Sequence, residues 1–125
     1  MLRKVEIGSS RYTEVLSIDE PGPGNAHHAY TIENSRNTQV PTGEAIDIYG
    51  SIKFQNGPIK EAGVNGCHNE DLLAIVIDRL QCFQSGPYKC RENAIAITKL
   101  EEAMHWLNHR TAARQARGIE GTHEI

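Results

Sequence analysis

Residues 109–118 read HRTAARQARG, and the three arginines in that run, Arg110, Arg114 and Arg117, follow one another at intervals of four and three. Those intervals put them on one face of an α-helix. No acid interrupts the run, although the whole chain carries a formal net charge of −3. A guanidinium fork matches phosphate oxygens in pairs, so the stripe has the chemistry of a phosphate clamp. Gly118 and Gly121 beyond it would let backbone approach a ligand closely. The plainer alternative is that cations at a helix C-terminus complement the macrodipole, by about 0.3–1 kcal/mol each.

Other residues invite comparable questions. Phe83 and Tyr88 flank a break in the pattern, with Asn93 close behind. They are either a hydrophobic plug closing a turn or a stacking platform for a base, with an amide to read its edge. Cys82 and Cys90 beside the same break read as packing residues. His105 and His109 stand four apart, as a metal pair would. A zinc or two-metal site needs further ligands, and no HExxH or comparable cluster supplies them. Adjacent residues on a helix point about 100° apart, so Glu101 and Glu102 do not converge on one atom as acid and base. The motifs GxxxxGK[ST], GxGxxG and GxSxG are absent. QNGPIKEAGVNG (55–66) has glycines and Lys60 without P-loop spacing; it is a ligand-contacting loop or a plain connector.

These residues must be carried on two kinds of element. KVEI (4–7), YTEVLSI (12–18), AYTIEN (29–34) and AIDIYGSIKF (45–54) predict strands, with PGPGN (21–25) punctuating them. In the last, Ile46, Ile48, Ile52 and Phe54 are expected on one face, and Gly50 among them suggests a bulge or a close contact. After Gly66 the period changes. Asn69 is a plausible N-cap, and Leu72, Leu73, Val76, Ile77, Leu80 and Phe83 follow at helical spacing over about 69–83. SGP (85–87) breaks that helix. A second runs from about Arg91 to Ala116 on a stripe of Ile97, Leu100, Met104 and Leu107.

The expected fold is therefore α+β: an N-terminal antiparallel β-sheet over 1–66, then a C-terminal antiparallel two-helix hairpin over 67–125, in one compact domain. The helices differ in length, roughly 22 Å against 39 Å at ~1.5 Å per residue. The surplus of the second must lie on the sheet or on another chain, which predicts an oligomer.

The chain has 125 residues, 38% hydrophobic and 6% aromatic, so its core is expected to be thin. Its acidic balance argues against binding long nucleic acid. No stretch is long and apolar enough for a membrane, and MLRKVEIGSS lacks the apolar run of a signal peptide. Three cysteines without CxxC speak against a disulfide framework or zinc knuckle. The expectation is a reduced, cytoplasmic protein.

From FQNGPIKEAGVNG (54–66) through NEDLLAIVIDRL (69–80), CRENAIAITKLEEAMHWL (90–107) and RTAARQARGIEGT (110–122), the sequence resembles the phage Thoeris anti-defence protein 1 family. Its hairpin is also similar to that of the phage anti-CBASS protein 2 family. The resemblance covers about residues 54–123. It implies a sponge acting in the host bacterial cytoplasm, not an enzyme, with no cofactor and no metal. Such proteins hold glycocyclic ADP-ribose made by TIR-domain enzymes without degrading it. Some members also bind CBASS cyclic di- or trinucleotides at separate sites. Members assemble from dimers, commonly into hexamers, with ligand held between protomers. By this resemblance Arg110 matches a phosphate-contacting arginine, Phe83 a purine-stacking aromatic and Asn93 a polar contact. Lys60, Arg91, Thr111 and Arg117 join them by position and chemistry; the family's further basic contact falls near Pro58 and Lys60. Two other classes stand beside this one. A metal-dependent hydrolase of the signal would be sensitive to chelator, and a structural adaptor would lose its assembly in high salt.

Overall fold

The computed structural model describes residues 2–8, 12–35 and 47–125. Those residues form two units, one built from Met1–Gly57 and Val64–Cys67, the other from Pro58–Gly63 and His68–Ile125.

The first unit is a four-stranded antiparallel sheet in sequential order: β1 (Arg3–Lys4), β2 (Thr13–Ser17), β3 (Ala29–Asn34) and β4 (Ile48–Lys53). The α+β class read from the sequence holds. KVEI contributes less than expected: β1 is only Arg3–Lys4, although Val5 N–H still donates to the Val15 carbonyl at 2.9 Å. Between β2 and β3, Asp19 organises the turn. Its carboxylate accepts from the His28 amide at 2.9 Å, and that bond holds its pKa below the ordinary 3.8. Leu16 is the one apolar side chain buried among the described residues, so the core here is as thin as the composition suggested.

Gly50 marks a bulge. Ile32 pairs with Gly50 while Glu33 pairs with Ile48, which leaves Tyr49 as the extra residue. The bulge reverses the alternation. Gly50 and Ile52 share a face with Ile32 and Tyr30, but Ile48 falls on the opposite face and is 62% exposed. This corrects the expectation that Ile48 and Ile52 face the same way; Ile46 lies outside the described residues. Gly50 is not a close approach: a Cβ there would sit 3.5 Å from Ile32 Cδ1, in ordinary van der Waals contact.

Beyond β4 the chain is pinned by Cys67, whose N–H donates to the Lys53 carbonyl at 2.8 Å while its own carbonyl accepts from Gln55 N–H at 2.8 Å. Gly66 makes this approach possible. A Cβ at that position would lie 2.4 Å from both the carbonyl carbon and oxygen of Phe54, which are backbone and cannot rotate away. Gly66→Ala is expected to destabilise the protein by about 1–3 kcal/mol, the scale of an overpacked contact, as read by urea denaturation.

The second unit holds α1 (Ile59–Ala62), α2 (Asn69–Gln84) and α3 (Arg91–Ala116). The loop reading of residues 55–66 is corrected by α1, one helical turn closed at Gly63 with φ +73°. The cap of α2 also shifts. His68 is the N-cap, and the Asp71 carboxylate accepts from its N–H at 2.8 Å; Asn69 is the first helical residue. Gln84 sets the hairpin turn. Its amide donates to the Cys90 carbonyl at 3.0 Å and accepts from Cys90 N–H at 2.9 Å. Cys90 then caps α3, its sulfur accepting from Asn93 N–H at 3.4 Å.

With 16 residues in α2 and 26 in α3, the helices are ~24 Å and ~39 Å long at ~1.5 Å per residue. Ile97, Leu100, Met104 and Leu107 of α3 are half-buried, as are Leu72, Leu73, Ile77, Leu80 and Phe83 of α2, but Val76 is exposed. No residue of α2 is buried, and in α3 only Arg114 is. Ile75, Ile95 and Trp106 are exposed. No helix among the described residues is long and apolar enough to cross a membrane.

Candidate functional site

The side chains singled out in the sequence gather at two ends of the hairpin. At the turn, Phe83 closes α2 and meets Tyr88 edge-to-face, with ring centroids 6.3 Å apart. Arg79 reaches the same ring from one turn earlier, its guanidinium carbon 5.3 Å from the Phe83 centroid. A cation over a ring face stabilises by about 0.5–1 kcal/mol at an exposed site. Asn93 points its amide back across the turn and donates to the Tyr88 carbonyl at 3.4 Å. Tyr88 itself is 74% exposed. Phe83 is half-buried in this turn, while Tyr88 leaves an aromatic surface open. Arg91 lies just past the turn, lining a shallow groove with Ala94, Ile95, Thr98 and Lys99. Sequence reasoning missed Arg79, although its spacing of four to Phe83 was the available signal.

At the other end of α3 the arginine stripe divides by function. Arg114 is buried and wholly committed to the chain beyond the helix. Its Nε donates to Glu120 Oε2 at 3.1 Å, and its terminal nitrogens donate to the carbonyls of Ile119, Thr122 and Glu124. Arg117 is exposed and donates to the Ile125 carbonyl at 2.9 Å. Arg110 is exposed and makes no hydrogen bond or ion pair with any described residue. Thr111 turns its hydroxyl back to the Leu107 carbonyl at 3.3 Å. Lys60 belongs to this end as well, lining a groove with Gln115, Gly118 and Glu120.

The structure thus brings Phe83, Arg91 and Asn93 to one end, and Lys60, Arg110, Thr111 and Arg117 to the other. Asn93 and Arg110 are 17 positions apart in the same helix, roughly 26 Å along its axis. His105 and His109 stack at 6.5 Å beside Trp106. Among the described residues no group of three or more His, Cys, Asp and Glu is placed to hold a metal ion.

The strand before the hairpin and most of the hairpin, residues 47–112, match the family model described as Acb2/Tad1, hairpin domain. A relative named Thoeris anti-defense 1, from Bacillus phage SBSphiJ7, is 64% identical over 121 residues, covering 97% of this chain and 84% of its own length. The chain belongs to the Acb2/Tad1 family. The resemblance read from NEDLLAIVIDRL, CRENAIAITKLEEAMHWL and RTAARQARGIEGT is thereby borne out. Within this Acb2/Tad1 chain the family match includes both the aromatic turn and Arg110, and ends before Arg114. Lys60 lies within it, whereas the tail that engages Arg114 lies outside.

Proposed function

We propose that this protein is an anti-defence sponge. It captures a cyclic nucleotide immune signal, glycocyclic ADP-ribose from TIR-domain enzymes, and holds it without breaking a bond. Cyclic di- and trinucleotides of CBASS systems are further candidate ligands. The name of the relative, Thoeris anti-defense 1, supports the biological role. The observation that carries the molecular reading is the bare guanidinium of Arg110, set beside a neighbour of the same stripe whose three guanidinium nitrogens all donate internally.

The ligand is a compact, doubly charged pyrophosphate carrying a purine. Arg110 supplies the fork for phosphate oxygens, Phe83 the ring that stacks the purine, and Asn93 the amide at its edge. Lys60, Arg91, Thr111 and Arg117 line the approaches. One hairpin holds the ring and the fork too far apart for one small molecule. An antiparallel pair of protomers places the turn of one beside Arg110 of the other, so each site takes its stacking half and its phosphate half from different chains. Dimers of this kind assemble further, into a hexamer. The exposed Ile75, Ile95 and Trp106 give such contacts an apolar surface. Stoichiometric capture of a scarce signal requires nanomolar affinity, roughly −12 kcal/mol.

Complementation between variants tests the shared site. Phe83→Ala removes base stacking, worth about 1–3 kcal/mol per base. Arg110→Ala removes the fork. Each variant alone is expected to bind glycocyclic ADP-ribose poorly. Co-expressed, they form mixed assemblies in which some sites take Phe83 from one chain and Arg110 from the other, and tight binding returns to that fraction. If mixed assemblies form and no tight binding returns, the site lies within one chain and the reading is wrong.

A further inference from the structure

The Arg114 network does more than end a helix. The tail it gathers, residues 119–124, is fastened in turn to α1. Lys60 N–H donates to the Gly121 carbonyl at 3.0 Å, and His123 Nδ1 lies 2.6 Å from Glu61 Oε2. Arg114 therefore holds the tail, and the tail holds the one turn of helix that carries Lys60. Gly121 sits directly beneath that lysine. It has φ +84°, and a Cβ on it would stand 3.1 Å from Lys60 Cγ, with Cδ and Cε close behind. The absence of a side chain there lets the Lys60 stem lie against the backbone.

Charge gives this arrangement a consequence. The groove beside Lys60 contains Glu120, which would neutralise the lysine and repel an anion. Arg114 Nε binds that carboxylate at 3.1 Å, and Lys60 forms no ion pair with any described residue. Lys60 is left as an exposed cation near the C-terminal end of α3, the end that also carries Arg110.

We infer that Arg114 and Gly121 are positioning residues for Lys60. The tail strap holds α1 so that the ammonium completes, from the loop before the hairpin, the anion clamp begun by Arg110. The inference rests on the sponge reading, which already counts Lys60 among its contacts, and adds the residues that hold it in place.

Two measurements on the full chain test it. The first needs no ligand. Exchange of the Lys60 amide is followed by NMR in the parent and in Arg114→Gln; loss of protection is expected, and unchanged protection overturns the strap. The second uses glycocyclic ADP-ribose. Lys60→Ala is expected to weaken binding about tenfold, the scale of a hydrogen bond to a charged group. Gly121→Ala, which displaces the lysine stem, is expected to weaken it similarly. The double variant should bind no worse than Lys60→Ala alone, because both changes remove one contact. A purely structural role for Gly121 would not produce that non-additivity. Parent-like binding by Gly121→Ala, or losses that multiply in the double variant, would overturn the inference. If the parent binds no nucleotide, the sponge reading fails, while the exchange measurement still decides whether Arg114 positions Lys60.

Discussion

Arg110→Ala is expected to lose most of its affinity for glycocyclic ADP-ribose while melting at the temperature of the parent. The side chain is exposed and makes no polar contact with any described residue. Removing it therefore leaves no described partner unsatisfied, and a surface change of this kind moves stability by no more than about 0.5 kcal/mol. Binding is different. A hydrogen bond to a charged group contributes about 1.5–3 kcal/mol, which is roughly a ten- to hundredfold loss in affinity. Calorimetric titration reads the affinity and a thermal scan reads the fold. An unchanged affinity would place the phosphates elsewhere.

Four residues on, the same substitution should do the reverse. Arg114→Ala is expected to cost about 3 kcal/mol of folding stability, at the low end of what breaking a buried ion pair costs. Arg114 is 11% exposed by its side chain and serves Glu120 together with three carbonyls. The truncation would strip Glu120 and the Thr122 and Glu124 carbonyls of this donor, while the Ile119 carbonyl keeps the amide and hydroxyl of Thr122. Glu120, at 34% exposure, can recover part of its solvation, which keeps the figure at the low end. Against a total stability of about 5–15 kcal/mol this is a large fraction, and urea denaturation will resolve it. A loss below about 0.5 kcal/mol, that of an ordinary surface change, would mean that the tail is not held by this residue.

The contrast between these two arginines shows where sequence reasoning stops. Spacing puts Arg110, Arg114 and Arg117 on one helical face, and the first two lie in α3 with Arg117 as its C-cap. Spacing does not reveal that the chain reverses after Gly118, with φ +73°, and returns Glu120 and three carbonyls to Arg114 alone. The partners of Arg114 belong to GIEGTHE, which has no apolar period to announce a fold. The question raised by a basic stripe on an acidic chain thus receives a divided answer: Arg114 is internal, Arg117 is half-engaged with the C-terminus, and Arg110 is left facing outward.

Elements with a long period were the legible ones. The stripe of Ile97, Leu100, Met104 and Leu107 runs far enough to define α3, which spans Arg91–Ala116 as read. The strands of AYTIEN and TEVLS were marked by β-branched and aromatic residues. Shorter features escaped. One turn of helix at Ile59–Ala62 is too brief to display a period. The N-cap of α2 moved to His68, against the composition that favours Asn69, because Asp71 reaches back to the His68 amide. Gly50 correctly signalled a bulge, but the side on which Ile48 emerges depends on where the extra residue sits, which only the pairing with β3 decides. The two halves of the candidate site could be named from sequence; their separation along the hairpin follows from the helix rise, and it is what the proposed sharing between protomers rests on.

The central claim is capture without chemistry, and one measurement addresses it directly. Purified protein is mixed with glycocyclic ADP-ribose, freed of unbound ligand and then heat-denatured, and the released material is followed by chromatography and mass measurement. The account predicts intact ligand, retained through washing and released only on denaturation. A cleaved product would make the protein an enzyme, and ligand left entirely in the unbound fraction would mean that this signal is not what it holds; either result contradicts the account.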